Sequence, residues 1–247
     1  MSASVETGAT GSRRAVVLLS GGLDSGVALA LWRESGGESA LALCADYGQR
    51  AAEREAEASA RLAARFGAPW RRVALPWLRD AALASGTALL AGSGTPLPQR
   101  SLASPGDAAS AASVWVPARN VVLLGIAAAF AEAHGAGQIV AGFNREEAAT
   151  FPDNSAAFCR DFDAVLARGT RRGVRVLSPT LELDKLGIVR EARRLGLRRE
   201  DFWSCYAADS DPSSCACESC VRSRRAWSSL AGAEFRDATA APEPGPR

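Results

Sequence analysis

Short apolar runs alternate with amphipathic stretches along most of the chain, and that alternation predicts strands and helices in turn. Residues 15–19 form an apolar run of strand length that stops at a double glycine. Residues 26–34, apolar at Val27, Leu29, Leu31 and Trp32 and bounded by Gly36 and Gly37, predict a short buried helix. A second strand is expected at 40–45, an Ala-rich helix with outward Glu and Arg at 51–66, and a third strand at 72–75. Farther on, the pattern gives a helix at 121–134, a strand at 138–143, a helix at 155–167 and a strand at 174–177. An amphipathic helix at 184–195 closes at Gly196, and a last helix runs to about Leu230.

Strands alternating with helices define the expected fold class as α/β, a doubly wound parallel sheet of the Rossmann-like kind. In such a sheet ligands bind at the carboxyl ends of the strands, near the topological switch point. The main domain is expected over 13–200, with a small helical segment at 201–231. Residues 1–12 and 232–247, small and polar or rich in Pro and Ala, are expected to be disordered. Residues 85–113 carry no period and are a candidate lid. No internal repeat is evident.

The composition, 47% hydrophobic and 23% charged over 247 residues, suits one principal core with a small appendage. A net charge of +2 and a pI near 8.3 do not fit a protein that grips nucleic acid through its phosphates, so a small-molecule substrate is expected. No run approaches the ~20 apolar residues of a membrane span, and residues 1–14 hold no apolar signal core, so a cytoplasmic location without membrane partners is expected. Positive charge is almost all arginine: Lys185 is the single lysine beside 28 arginines, with only two tyrosines and three asparagines in the chain. These rare residues mark positions worth locating.

The run Ser20-Gly21-Gly22-Leu23-Asp24-Ser25 lies between a predicted strand and helix. Its amides and the helix start can converge on an anion, the glycines let that anion approach the backbone, and the two serine hydroxyls add donors. The run lacks the Gly-Lys-Ser/Thr ending of a Walker loop, so no lysine is built in to follow the terminal phosphates, which leaves cleavage between the α and β phosphates open. Asp24 would repel phosphate unless it also held a cation, and Mg²⁺ prefers carboxylate and phosphate oxygens.

The hexapeptide resembles the pyrophosphate loop of the N-type ATP pyrophosphatases. Five further segments follow in order: 46–50 (Asp-Tyr-Gly-Gln-Arg), 116–120 (Val-Pro-Ala-Arg-Asn), 142–144 (Gly-Phe-Asn), 151–153 (Phe-Pro-Asp) and 203–206 (Trp-Ser-Cys-Tyr). Together they resemble the 7-cyano-7-deazaguanine synthase family over roughly 15–230. The resemblance implies an adenine-nucleotide α-hydrolase-like fold and a homodimer. It also implies ATP-dependent conversion of 7-carboxy-7-deazaguanine, or a related acid, with ammonia to the nitrile, through an adenylated acid and an adenylated amide. It places ATP along Leu19, Ser20, Gly21, Gly22, Leu23, Asp24, Ser25, Gly26, Val27, Ala28 and Leu29, with Asp46, Tyr47 and Gln49. Asp24, Lys185 and Arg119 are the candidate catalytic residues, Lys185 matching the family's lysine before a helical Ile-Val. Arg119, Asn120, Asn144, Glu147 and Asp153 are the candidates for the acid.

Cys205, Cys215, Cys217 and Cys220 offer four thiolates, the number a closed structural zinc site requires. The family's run is usually Cys-Gly-x-Cys-x-x-Cys; here Ser214-Cys215-Ala216-Cys217 moves one cysteine by one position. Asn154-Ser155 also stands where the family often has Cys-Arg, and Glu147 where Asp is usual, which leaves a ligase for a related carboxylate open. A tRNA thiolase, or a zinc-knuckle module using Arg222, Arg224 and Arg225, are the remaining alternatives. Cys44 and Cys159 read as small core residues and His134 as a helix end.

Overall fold

A computed structural model describes residues 13–99 and 108–239, with side chains assigned for 13–99 and 109–230. Five parallel strands, β1 (Arg14–Leu18), β2 (Glu38–Asp46), β3 (Trp70–Ala74), β4 (Gln138–Val140) and β5 (Arg175–Leu177), form one sheet in the order β3-β2-β1-β4-β5. The chain builds outward from β1 to β3 and then crosses back to β4 on the other side of β1. The switch point therefore lies between the ends of β1 and β4, where a doubly wound sheet opens its ligand crevice.

Period-two alternation in β1 sends Ala15 and Val17 to one face and Val16 and Leu18 to the other. On the first face lie α1 (Leu23–Glu34), α2 (Ala52–Arg65), α8 (Lys185–Arg194) and the start of α9 (Glu218–Thr239). On the second lie α5 (Arg119–Ala133) and α7 (Ala156–Gly169). Val27, Ala28, Leu29 and Ala30 are at most 1% exposed, so α1 is covered all round. That coverage needs the sheet on one side and Ile188, Val189, Phe202 and Ala226 on the other. Each fully buried Val or Leu contributes ~1.5–3 kcal/mol, so the C-terminal segment shares the main core.

Four departures from the sequence pattern have local causes. First, α1 starts at Leu23, ahead of the predicted 26, so Asp24 and Ser25 occupy its first turn. Second, β4 ends at Val140, which leaves 141–144 as a loop at the switch point. Third, the aperiodic stretch 85–113 is not one loop. It follows a further helix, α3 (Pro76–Ala84), its Ala88, Leu89 and Leu90 are buried with Leu78 and Val116, and Ala108–Ser113 is helix α4. The rest of that candidate lid, 100–107, lies outside the described residues, as do 1–12 and 240–247. Fourth, α9 continues to Thr239, past the expected end near Leu230 and into the stretch expected to be disordered.

Candidate active site at the switch point

The loop after β1 is fixed from below. The Leu19 amide donates to Leu43 O at 2.8 Å, and the buried Ser59 hydroxyl donates to Leu19 O at 2.7 Å. Gly21 has φ +83°, and a Cβ there would lie 2.5 Å from Glu55 O, so only glycine fits. Within the loop the Ser20 and Ser25 hydroxyls meet at 3.0 Å, and the Ser20 amide donates to Ser25 Oγ at 3.2 Å. The helix that follows has Gly22 as its N-cap, with no side chain capping it. The amides of Leu23, Asp24 and Ser25 precede the first helical bond, Gly26 N to Gly22 O at 3.1 Å, and form an anion-seeking end.

A chain of charges runs beside this end. Lys185 Nζ lies 2.7 Å from Asp24 Oδ2 and 3.1 Å from Glu147 Oε1, and Arg222 Nη2 lies 3.8 Å from the same Glu147 oxygen. Asp184 caps α8 by accepting from the Gly187 amide at 2.8 Å, which sets Lys185 at the helix start. Asn144 caps the short helix α6 (Arg145–Ala148), accepting from the Glu147 amide at 2.9 Å, and donates to Asp24 Oδ2 at 3.2 Å. Burial opposes charge on Lys185, but Asp24 and Glu147 outweigh it and hold its pKa above the usual range. Burial raises the Asp24 pKa despite Lys185, whereas Glu147, half-buried and facing both Lys185 and Arg222, is held low.

Asp24 Oδ1 is buried and has no hydrogen-bond partner among the described residues. An unpartnered carboxylate oxygen on the first turn of α1, next to amides that seek an anion, fits a hard divalent cation. Gly142, in the loop after β4, closes the other side. A Cβ on it would meet Ser25 N at 2.5 Å and Asp24 C at 2.7 Å, all backbone.

The opposite wall comes from β2 and α5. Gln49, buried, accepts from the Tyr47 amide at 3.0 Å and donates to Glu55 Oε2 at 2.8 Å. Arg119 donates to the Tyr47 hydroxyl at 3.3 Å from the first turn of α5, whose N-cap Ala118 has the left-handed φ of +52°. A non-glycine residue in that region is strained and is kept only where its surroundings enforce it. Burial raises the pKa of both Tyr47 and Glu55.

These elements enclose a cavity of about 330 Å³. Of the residues expected from the sequence, it is lined by Leu19, Ser20, Gly22, Leu23, Asp24, Ser25, Tyr47, Gln49, Arg119, Asn120, Glu147 and Lys185. Gly21 and Asn144 support it through their neighbours. Gly26, Val27, Ala28 and Leu29, expected to meet nucleotide, are instead packed inside the protein beneath the loop. Asp46 is also elsewhere, its carboxylate 2.7 Å from Arg72 and bonded to the Gly48 amide at 2.9 Å. Asp153 stays outside the lining and holds Asn120 through its carbonyl at 3.3 Å. The buried Asn154 beside it lines the cavity instead.

Glu55, Asn154, Trp203, Tyr206 and Arg222 also line the cavity, beyond the residues expected there. Tyr206 and Asn154 were legible as rare residue types. Arg222 stands in a basic run, yet it lines the cavity and pairs with Glu146 at 2.9 Å, while Arg224 donates to Pro212 O at 2.9 Å, so the run is not a shared basic face.

The cysteine cluster borders the cavity through Cys205. The four sulfurs of Cys205, Cys215, Cys217 and Cys220 lie within 4.8 Å of one another, with Cys205 Sγ 3.6 Å from Cys215 Sγ and 3.9 Å from Cys217 Sγ. Tetrahedral zinc with bonds of about 2.3 Å sets sulfurs ~3.8 Å apart, so the group fits a Cys₄ metal site. Cys215 reaches it despite its shifted position because its amide turns back onto Asp211 O at 2.9 Å. Cys44 and Cys159 lie buried in β2 and α7, where burial pushes their thiols up to about 12 and about 11. His134 ends α5, away from the cavity.

Among the described residues no helix is long and apolar enough to cross a membrane. The family described as Queuosine biosynthesis protein QueC matches residues 14–231. The chain is 47% identical over 221 residues to the 7-cyano-7-deazaguanine synthase of Desulforudis audaxviator, covering 89% of this chain and 98% of that protein. It is 46% identical over 218 residues to that of Pelotomaculum thermopropionicum, with 86% and 96% covered. It is 42% identical over 221 residues to that of Methanosarcina barkeri, with 87% and 93% covered. A match of this extent, on a fold whose switch point carries the predicted loop, lysine and carboxylates, means that the chain belongs to the QueC family of queuosine biosynthesis proteins.

Proposed function

We propose that the protein converts 7-carboxy-7-deazaguanine and ammonia to 7-cyano-7-deazaguanine at the expense of two ATP. In the first stage the carboxylate attacks the α-phosphorus, pyrophosphate leaves, and ammonia displaces AMP to give the amide. In the second the amide oxygen is adenylated, pyrophosphate leaves again, and loss of both amide N–H protons and of AMP, which carries away the amide oxygen, gives the nitrile. The relatives' name supports this product. The observation that carries the chemistry is the pairing of Lys185 with Asp24 at the uncapped start of α1.

Both stages require stabilisation of charge on a departing pyrophosphate, and neither requires a protein nucleophile. The amides of Leu23 to Ser25 and the hydroxyls of Ser20 and Ser25 hold the phosphates, and Lys185 faces the leaving group with its charge secured by two carboxylates. Arg119, steadied by Tyr47, meets the reacting groups from the other wall. Asp24 Oδ1 would hold Mg²⁺, which when bound neutralises developing phosphate charge. The four cysteines would hold Zn²⁺ in a closed site that fixes the wall formed by 203–206 and takes no part in the chemistry. The family resemblance also supports a cytoplasmic homodimer.

The test is mass spectrometry of products from the acid, ATP, Mg²⁺ and ammonium. Nitrile with two AMP and two pyrophosphate per turnover is expected. Release of ADP, or ATP left intact, would sink the reading.

A further inference from the structure

A second cavity of about 750 Å³ adjoins the first, and the two share Glu147, Tyr206 and Arg222 as a common wall. Its sides include Trp115 and Phe151, whose rings lie 14° from parallel with centroids 6.1 Å apart. Flat aromatic sides of this kind suit a planar heterocycle. Phosphate chemistry occupies the first cavity, so an acid whose ring lies in the second must present its carboxylate at the shared wall.

The cationic side chain at that wall is Arg222. Its Nη2 donates to Glu146 Oε1 at 2.9 Å, and its Nε and Nη1 have no acceptor among the described residues. Lys185 and Arg222 flank one oxygen, Glu147 Oε1, at 3.1 and 3.8 Å, so the two cations sit side by side with a carboxylate between them. Lys185 lines only the first cavity, whereas Arg222 lines both. The segment after Asp153 offers no arginine, since Asn154-Ser155 stands there.

We infer that Arg222 binds the carboxylate of the acid substrate and aligns it for attack on the α-phosphorus, with the ring against Trp115 and Phe151. This rests on the proposed function and adds a residue to it. It makes Arg222 a stage-specific group, because the amide that enters the second stage carries no charge for a guanidinium to match.

The two stages are assayed separately, acid to amide and amide to nitrile, in wild type, Arg222→Gln and Arg222→Lys. Loss of a charge-assisted pair should lower kcat/KM for the acid on the order of 30- to 100-fold in Arg222→Gln, with the amide stage reduced less than about threefold. Arg222→Lys, which keeps the charge without the planar fork, should fall between, and it supplies the same comparison if the glutamine variant does not fold. Equal losses in both stages, or an unchanged acid stage, overturn the assignment. A wild-type protein that converts neither substrate refutes the functional reading itself, a separate outcome visible before any variant is made.

Discussion

Lys185 Nζ and Asp24 Oδ2 meet at 2.7 Å across 161 residues of sequence, and their side chains are only 14% and 19% exposed. The contact ties the start of α8 to the start of α1, and Glu147 makes it a triad. Lys185→Met leaves two carboxylates facing each other without their ammonium. It should cost about 3 kcal/mol of stability and on the order of 100-fold in pyrophosphate release. Asp24→Ala removes one carboxylate of the triad, so it should lose AMP formation to a similar degree while melting within a few degrees of wild type. Turnover preserved in Asp24→Ala would remove the aspartate from the mechanism.

Asp184 gives a pH-dependent test of how Lys185 is placed. The Gly187 amide holds the Asp184 carboxyl below its usual pKa, with a smaller contribution from Arg145, an exposed partner that solvent screens. A carboxylate with a depressed folded value stabilises above its unfolded pKa, near ~3.9, and that contribution fades as pH falls through the folded value. Asp184→Ala should therefore cost about 1 kcal/mol at pH 7, roughly 2–4 °C in Tm, and the gap to wild type should close toward pH 3. A gap that widens in acid would show that the cap is not what the carboxylate supplies.

Gly142→Ala and Gly125→Ala should act in opposite directions. The first puts a methyl 2.5 Å from the Ser25 amide nitrogen, where only backbone could yield; the second adds one within α5, where nothing lies within 4 Å. Thermal melts should show Gly142→Ala destabilised by ~1–3 kcal/mol, with nucleotide turnover falling as the α1 start is pushed away. Gly125→Ala should gain up to ~1 kcal/mol from helix propensity alone. Normal activity in Gly142→Ala would mean that the β4 loop does not shape the phosphate end.

Cys220→Ala should lower metal content and Tm together, since Cys220 is fully buried and α9 begins two residues before it. Plasma emission spectrometry on the purified variant is the check. Full metal occupancy would show that the cluster binds through another set of ligands.

Much of this architecture could be read from sequence, for physical reasons. The strand-glycine-helix junction announces itself through an apolar run and two glycines, and the residues this Arg- and Ala-rich chain otherwise avoids converge. Tyr47, Tyr206, Asn120, Asn154 and Lys185 all line one cavity, and Asn144 bonds to Asp24 inside it. Helix rotation was harder to see. Val27 to Leu29 follow the loop in sequence, but steps of ~100° carry them round a helix packed on every side, and none of them lines the cavity. Arg222 was hidden for a related reason, because neighbouring arginines on α9 point in different directions and only the fold tells them apart. Leu89 and Leu90 lie in an aperiodic stretch, so nothing local signals that they pack against α3.

The bare glycine at the head of α1 ties thermal behaviour to catalysis. With no hydroxyl or carboxylate of its own to quiet those first three peptide groups, the resting protein keeps an uncapped turn at the phosphate site proposed above. Selection for a firmer, self-sufficient turn would work against turnover, so resistance to heat should be gained elsewhere, the uncapped starts of α2 and α3 included, and leave the head of α1 as it is.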